Sequence, residues 1–467
     1  MSKKQGLDYF ALAEKLKIRL LQGPMTAKEG IQLLAPISQQ AFSKLIGKLV
    51  ELTGDDLVQM GKARKTCYAL KREVSGCQTP LSLFEIDQKG KPHRIAELIP
   101  IHPKGFHAKF ALEKEQYFED LPYFLEDLRP SGFLGRLIPH QYPQENYPGD
   151  IRIWSSDHTL SYLSKYAWNP VGNLIIGETA LHLFIEKSVK ERKVLLELEK
   201  KTQYLRFAND VIALGEAGSS AAGEQPKFLC EIQCKKGGSQ SVLVKFSPNE
   251  KSRLSRRRSD LLICEHLVHR ILNENDYPAV RSEILFADQR TFLEEHRFDR
   301  IEKNGRLGVI SLKALDSEFI GSVDGSWSAI CSKLMQKKLI SEPLFQRVKE
   351  VELFGSLIGN IDMHTGNLSF YTADLRTSEI KPLRLVPVYD MLPMLYAPQN
   401  ENMTERTFKP IVPRADQSRE WRKIYPIVLQ YWKNICVCQK ISEEFKRIAR
   451  SHLQELEKLK QVFKFLP

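Results

Sequence analysis

Apolar positions in the first 75 residues recur mainly at the spacing of an α-helix. The stretch DYFALAEKLKIRLLQ is amphipathic, and MTAKEGIQLLA begins with a capping box of Thr26 and Glu29. A third helix is expected after Ser38, with apolar residues at positions 42, 45, 46 and 49. The short strands LVQM and TCYAL follow around the basic turn GKARK. This order of elements predicts a winged helix-turn-helix over residues 1–75.

The third helix and the basic turn carry a candidate DNA-binding surface. In this motif the second helix enters the major groove, where Gln can contact a base edge while Lys and Arg mostly bind phosphate. The candidates are Gln39, Gln40, Ser43 and Lys44 on the helix, and Lys62, Arg64 and Lys65 on the wing. The alternatives are a basic helical module that contacts protein, or simply a solvated charged surface.

Beyond residue 80 the apolar pattern changes repeatedly between strand and helix. LSLFEID and RIAEL resemble two strands joined by the turn QKGKP, and the segment 178–210 is largely helical in pattern. SVLVKFSP (241–248) and TFLEEH (291–296) are strand-like, whereas RSDLLICEHLVHRIL (258–272) is helical. This mixture, in a chain of 467 residues, predicts an α+β protein of several domains.

Charge and cysteine content narrow the class of protein. The net charge is +12, and residues 1–75 contribute half of it, with 13 Lys and Arg against 7 Asp and Glu. This asymmetry indicates an anionic partner for the N-terminal segment. The eight cysteines form no zinc-like CxxC pair, so we expect reduced structural thiols. No apolar run is long enough to span a bilayer, and the first residues lack a signal-peptide core, so we expect a cytoplasmic protein.

Two segments in the middle of the chain suggest phosphate chemistry without establishing it. LGEAGSSAAGEQPKF (214–228) carries small residues whose backbone could approach phosphate oxygens, although a plain surface loop is the default reading. Lys245 lies among apolar residues of a strand and needs an acidic or phosphate partner if it is buried, but not if it lies at an exposed edge. Asp260 or Glu265 could be that acidic partner, and the spacing does not decide between them.

The stretch GNIDMHTGNLSF (359–370) supplies the remaining groups. Asp362 and Asn367 are five residues apart, the offset of the Asp and Asn in the protein-kinase catalytic loop, and Asp390 follows 23 residues later. Phosphoryl transfer requires a positioned carboxylate, oxygen ligands for Mg²⁺ and a cation on the phosphates. Together with Lys245 and the small-residue loop, these groups occur in kinase order along the chain. For Arg297, Asp299 and Arg300 a structural cluster and a ligand-binding role are equally open.

These motifs resemble the HipA family of serine/threonine kinase toxins from bacterial toxin–antitoxin systems. The resemblance rests on SSAAGEQPKF, VKFSP, HRFDR, GNIDMHTGNLSF and VPVYDM and spans roughly residues 80–467. With the winged helix in front, the chain is most similar to the YjjJ (HipH) branch. The resemblance implies an α+β, two-lobed protein-kinase-like fold after the DNA-binding domain. The expected domains are 1–75 (winged helix), 76–205 (HipA N-terminal subdomain), 206–300 (nucleotide-binding lobe) and 301–467 (mainly helical catalytic lobe).

The same resemblance implies roles for individual residues. Asp362 would be the catalytic base, Asn367 and Asp390 the Mg²⁺ ligands, and Lys245 the contact to ATP phosphates. The implied nucleotide site also includes His364, Phe298, Asp299 and the loop residues Ser220, Ala221, Ala222 and Gly223. Ser220 stands where the family has an autophosphorylated serine, and a phosphate there would occupy the place of ATP phosphates. The implied partners are ATP, Mg²⁺, a protein substrate, DNA and a HipB-like antitoxin.

Two positions depart from the family pattern. His296 replaces the usual Glu before Arg-Phe-Asp-Arg, and GVISLKALDSEF (308–319) replaces a Gln-Glu-Asp segment. The sequence therefore leaves a second function open, a DNA-binding transcriptional regulator whose kinase-like domain senses nucleotide without transferring phosphate. A small-molecule kinase on the same fold is a third alternative.

Overall fold

The structure is a computed structural model that contains both helices and mostly antiparallel strands. It describes residues 8–62, 66–111, 114–190, 194–216, 225–234, 237–249, 251–322, 325–372, 382–399, 402–403, 406–413 and 415–463. Helices and strands are numbered below in chain order. The predicted α+β class is confirmed.

The N-terminal unit has three helices and a small antiparallel sheet. Its elements are α1 (Tyr9–Leu21), β1 (Met25–Thr26), α2 (Ala27–Leu33), α3 (Gln39–Thr53), β2 (Leu57–Met60) and β3 (Cys67–Leu70), with sheet order β1-β3-β2. The predicted capping box is confirmed, because Thr26 and Glu29 bond reciprocally at the start of α2. Ser38 caps α3, as predicted. Phe42 and Leu45 of α3 pack against Leu16 of α1 in a core of their own.

The middle unit is a five-stranded antiparallel sheet with helices around it. It contains β4 (Leu81–Ile86), β5 (Pro92–Ile101), β6 (Gly105–Phe110), β7 (Glu115–Phe118), α4 (Gly132–Gln141), α5 (Ser156–Tyr166), β8 (Leu174–Ile176) and α6 (Glu178–Val189), with sheet order β7-β6-β5-β4-β8. Lys71, just after β3, bridges Ile101, and Arg72 pairs with Asp157 at 2.7 Å while lying over the Phe106 ring. The N-terminal unit is thus packed directly on the middle unit.

A second five-stranded sheet follows, with order β12-β13-β11-β10-β9. Its elements are β9 (Val194–Leu195), α7 (Lys200–Glu216), β10 (Lys227–Gln233), β11 (Ser239–Phe246), α8 (Arg253–Glu274), β12 (Ser282–Ala287) and β13 (Arg290–His296). The predicted domain boundary at 205/206 is wrong, because it falls inside α7. Leu195 and Tyr204 share one apolar core with Phe228 and Phe292, so this unit begins at β9.

The C-terminal part is mainly helical and holds the largest core. It comprises β14 (Arg300–Ile301), β15 (Gly305–Arg306), β16 (Val309–Ser311), α9 (Leu312–Phe319), α10 (Trp327–Gln336), α11 (Glu342–Ile358), β17 (Ser369–Tyr371), β18 (Arg384–Leu385), α12 (Ser418–Val437) and α13 (Glu443–Phe463). The divergent segment 308–319 thus forms β16 and α9. Helix α8 packs its apolar side into the same core, which joins the second sheet to the helical part.

Two further expectations can be compared with the structure. All eight cysteines are free thiols, as expected. Among the described helices, none combines the length and apolar character that a membrane span requires.

Candidate functional site

A buried lysine cluster lies between the second sheet and the helical part. Lys245 on β11 is 3% exposed, and its ammonium group contacts Glu265 on α8 at 2.6 Å and Glu295 on β13 at 3.1 Å. It also bonds the carboxylate of Asp390. Glu265 is therefore the acidic partner that the sequence left undecided. Asp260, the alternative, instead accepts a hydrogen bond from the backbone N–H of Ser442 at 2.9 Å.

The cluster sets one ammonium group against three carboxylates. Burial would lower the pKa of Lys245, but Asp390, Glu265 and Glu295 together raise it well above its ordinary value. Burial raises the pKa of Glu265 to about 7, although Lys245 opposes that shift. For Asp390, burial would raise the pKa, and the Lys245 ammonium more than offsets this and lowers it. Lys245 therefore stays charged although it is buried.

Glu295 and His269 are members of the site that the sequence reasoning missed. His269 lies one helical turn after Glu265, with its Nε2 3.8 Å from Glu295 Oε1 and its Nδ1 hydrogen-bonded to Ser282 at 2.9 Å. Glu265, His269 and Glu295 could each offer a ligand atom to a metal. Lys245 already lies between the two carboxylates, however, and would repel a second cation. The available signal was the i, i+4 spacing of Glu265 and His269 on one predicted helix.

The polar loop after α11 holds Asp362 and Asn367 together. Gly359 ends the helix in a left-handed conformation (φ 77°), and the side chain of Asn360 accepts a hydrogen bond from the Asp362 backbone N–H at 3.0 Å. The amide nitrogen of Asn367 donates to the Asp362 carbonyl at 2.8 Å. The Asp362 carboxylate is exposed. The five-residue offset thus closes a compact turn that presents this carboxylate to solvent.

The segment around Asp390 is tied to that loop. The hydroxyl of Tyr389 donates to the Gly366 carbonyl at 2.9 Å, and Asn360 bonds Met391 Sδ at 3.4 Å. Asp390 itself has a left-handed backbone (φ 48°) and lies in a bend. Strand β18 stops earlier because Pro387 has no N–H to donate. The loop and Asp390 therefore form one connected unit.

A cavity of about 810 Å³ opens beside Asp390. One side is formed by the second sheet, the segment after it and the Asp390 segment: Ser241, Leu243, Val280, Glu295, His296, Arg297, Phe298, Asp299, Tyr389 and Asp390. The other side comes mainly from the middle unit, including Arg129, Tyr142, Tyr162, Asn169, Pro170 and Val171. Its size is within the range of small-molecule sites. Three predicted nucleotide residues, Phe298, Asp299 and Asp390, lie in its wall. His364 does not line the cavity, and its Nδ1 accepts a hydrogen bond from the Gly366 backbone N–H at 3.1 Å.

The segment after β13 is a dense charged cluster. The Asp299 carboxylate is held by Arg297 and Arg300, each with a closest contact of 2.8 Å. Burial would raise the pKa of Asp299, and the two guanidinium groups lower it well below its ordinary value. The Phe298 carbonyl accepts from Tyr371 at 3.2 Å. The divergent His296 is half-buried, and its Nε2 comes within 4.0 Å of Glu294.

The described DNA-binding candidates all lie on the surface. Gln39, Gln40, Ser43 and Lys44 are exposed on the first half of α3, and Lys62 is exposed after β2. Arg64 and Lys65 lie outside the described residues, as do Ser220, Ala221, Ala222 and Gly223 of the small-residue loop. The DNA-binding and phosphate-binding roles of all these residues stay predictions.

Comparison with known proteins identifies the family. The YjjJ-like toxin middle domain matches residues 77–185, and the HipA-like C-terminal domain matches residues 219–459, more than half of the chain. Toxin YjjJ of Escherichia coli (strain K12) is 36% identical over 449 residues, which cover 95% of this chain and 96% of that protein. The chain belongs to the HipA-like toxin family, in its YjjJ branch. The resemblance inferred from the motifs is confirmed.

Two solved structures show a weaker similarity to this chain. HipA of Shewanella oneidensis MR-1, solved with HipB and its operator DNA, has a TM-score of 0.45 and 14% identity, covering 83% of this chain and 98% of that one. The proinflammatory kinase CtkA of Helicobacter pylori has a TM-score of 0.37 and 12% identity, covering 51% of this chain and 96% of that one.

Proposed function

We propose that the chain is a toxin-type serine/threonine protein kinase that transfers the γ-phosphate of ATP. The observation that carries the proposal is the connection between two groups of residues. Lys245, Glu265 and Asp390 form one buried ionic cluster, and Tyr389 ties the Asp390 segment to the loop that presents Asp362 and Asn367. Protein kinases carry out phosphoryl transfer with a lysine paired with a helix carboxylate, a catalytic-loop Asp and Asn, and a second Asp.

The residues present suit ATP and Mg²⁺. Mg²⁺ prefers oxygen ligands, and Asp390 offers a half-buried carboxylate in the cavity wall. Asn367 uses its amide nitrogen to bond the Asp362 carbonyl, which leaves its amide oxygen for a cation. When bound, Mg²⁺ would neutralise charge on the phosphates. Lys245 would contribute a fixed positive charge toward the same phosphates.

In this proposal the chain's own groups position the acceptor and accept its proton. The hydroxyl of a protein Ser or Thr attacks the γ-phosphorus, the bond to the β–γ bridging oxygen breaks, and ADP leaves. The exposed Asp362 carboxylate accepts the hydroxyl proton. Ser220 is the proposed site of autophosphorylation, which would place negative charge where ATP phosphates bind and so inhibit the enzyme.

We also propose that the N-terminal unit binds DNA and tethers the kinase to its own operator, alone or with a HipB-like antitoxin. The support is a helix, helix, helix, hairpin order with four exposed polar residues at the start of α3, in a segment that carries a net positive charge.

Nucleotide binding and consumption distinguish a kinase from a nucleotide sensor. We expect wild type and Asp362→Asn to bind ATP with Mg²⁺ with similar affinity in calorimetry, because Asp362 contacts the acceptor and not the nucleotide. Only the wild type should produce ADP when a lysate is supplied as substrate. Binding without ADP production by the wild type would favour the sensor function. Absence of ATP binding would contradict both functions.

A further inference from the structure

The segment that follows β13 is attached to a loop of the middle unit. We call residues 168–172 the wall loop, because Asn169, Pro170 and Val171 line the cavity. Arg300 donates to the Asn169 side chain at 2.7 Å and to the Gly172 carbonyl at 2.9 Å. Arg297 donates to the Pro170 carbonyl at 3.1 Å. Two arginines therefore fix one side of the cavity to the other.

Asp299 lies at the centre of these contacts, with 3% of its surface exposed. Its Oδ2 accepts from the Gly172 backbone N–H, from Arg297 and from Arg300, each at 2.8 Å. Its Oδ1 accepts from Arg297 Nε at 3.0 Å. A carboxylate offers about four acceptor positions, two on each oxygen, and three donors already crowd Oδ2 while one occupies Oδ1. With 3% of its surface exposed, the side chain is enclosed by these protein donors and offers a ligand hydroxyl group little access.

We propose that Asp299 is a positioning residue that fixes the wall loop as one side of the nucleotide cleft, and that it is not a ligand of the nucleotide sugar. The middle unit is then part of the nucleotide site, although it lies outside the segment that matches the HipA-like C-terminal domain. Asn169, Pro170 and Val171 of the wall loop line that side of the cleft. The statement about the nucleotide rests on the proposed function. The statement that Asp299 fixes the wall loop does not.

Hydrogen exchange without nucleotide tests the positioning role. In Asp299→Asn, the Gly172 amide loses its charged acceptor and the two arginines lose their counter-charge, so we expect exchange of the wall loop to accelerate at least tenfold. The matched control is Asp157→Asn, which removes another arginine-paired carboxylate at a site away from the cavity. The control should leave wall-loop exchange unchanged. Unchanged exchange in Asp299→Asn would overturn the positioning role.

Comparison of ATP with 2′,3′-dideoxy-ATP tests the statement that Asp299 does not bind the nucleotide sugar. We expect Asp299→Asn to weaken both nucleotides by the same factor, so that the ratio of their dissociation constants equals the wild-type ratio. Loss of a wild-type preference for ATP would overturn the proposal, because it would show a bond from Asp299 to the sugar. If the wild type binds neither nucleotide, the proposed function fails, while the exchange result still decides the positioning role.

A second variant covers the case in which Asp299→Asn does not fold. Asn169→Ala removes the acceptor for Arg300 from the wall-loop side and leaves Asp299 intact. We expect it to accelerate wall-loop exchange and to weaken both nucleotides equally. Normal exchange and normal affinity for both nucleotides in this variant would contradict a role for the wall loop in the cleft.

Discussion

At the residue scale, Lys245 shows what a sequence can and cannot predict about a buried charge. A lysine inside an apolar strand requires a partner, and the sequence offered two candidates on one helix. The structure selects Glu265 and adds Glu295 and Asp390, which lie 50 and 145 residues farther along the chain. Nothing local in the sequence brings these carboxylates together, because sheet pairing and the packing of a distant loop place them.

Replacement of Lys245 by Met should destabilise the protein strongly. Glu265 and Glu295 would be left buried without a counter-charge, which typically costs about 3–5 kcal/mol of unfolding free energy. Urea denaturation at pH 7 measures the change, and addition of Glu265→Gln to the variant should restore part of the loss. Lys109→Met, at an exposed position of β6 in the middle unit, is the control. Equal stability of both single variants would contradict the role of the cluster.

At the element scale, local signals predicted the elements well where caps or strong periodicity were present. Thr26, Glu29 and Ser38 marked the starts of α2 and α3 correctly. The two-residue strand β9 was missed inside a segment predicted as largely helical. This strand is recognised by its pairing with β10, where Val194 lies opposite Glu231. A strand of this length has no periodicity of its own, so only tertiary structure reveals it.

Lys44→Ala should weaken DNA binding in a salt-dependent manner. If Lys44 contacts a phosphate, its loss should reduce the slope of log K against log salt by about 1 and weaken all sequences similarly. Fluorescence anisotropy with upstream DNA at several salt concentrations measures both effects. Lys15→Ala, on the exposed side of α1, should leave the slope unchanged. Identical slopes for wild type and Lys44→Ala would place the DNA surface elsewhere.

At the scale of the whole molecule, the contacts between units were beyond sequence reasoning. The bond from Gly172 to Asp299 joins residues 127 positions apart, and that from Arg72 to Asp157 joins residues 85 apart. The predicted boundary at 205/206 failed for a related reason, since α7 belongs to the sheet that follows it. Contacts between units depend on surfaces that form only after each unit folds, so the sequence alone does not predict them.

Acid should destabilise the folded chain through its buried histidines. His452 lies between the rings of Phe408 and Trp432, and burial lowers its pKa to about 3. Below pH 6.5 the unfolded chain takes up a proton that the folded chain refuses, so stability falls as pH falls from 6.5 toward 3. His452 alone should account for about 2 kcal/mol between pH 7 and pH 5.

Urea denaturation at pH 7 and pH 5 measures this dependence. His452→Gln should lose less stability than wild type over this interval, whereas His182→Gln, at an exposed position of α6, should match the wild type. His266 and His269, whose pKa values burial lowers to about 4, should retain part of the dependence in both variants. An equal loss in wild type and His452→Gln would contradict the buried neutral state of His452.

The most direct test of the central claim is transfer of the γ-phosphate of labelled ATP to protein. Wild type, Asp362→Asn and Asp276→Asn are incubated with ATP, Mg²⁺ and a cell lysate, and label on Ser or Thr is quantified. Asp276 is exposed and has a left-handed backbone that Asn tolerates, which makes it the matched control. We expect Asp276→Asn to retain wild-type transfer and Asp362→Asn to lose at least about a hundredfold. Equal labelling by all three proteins, or none by the wild type, would contradict phosphoryl transfer at this site.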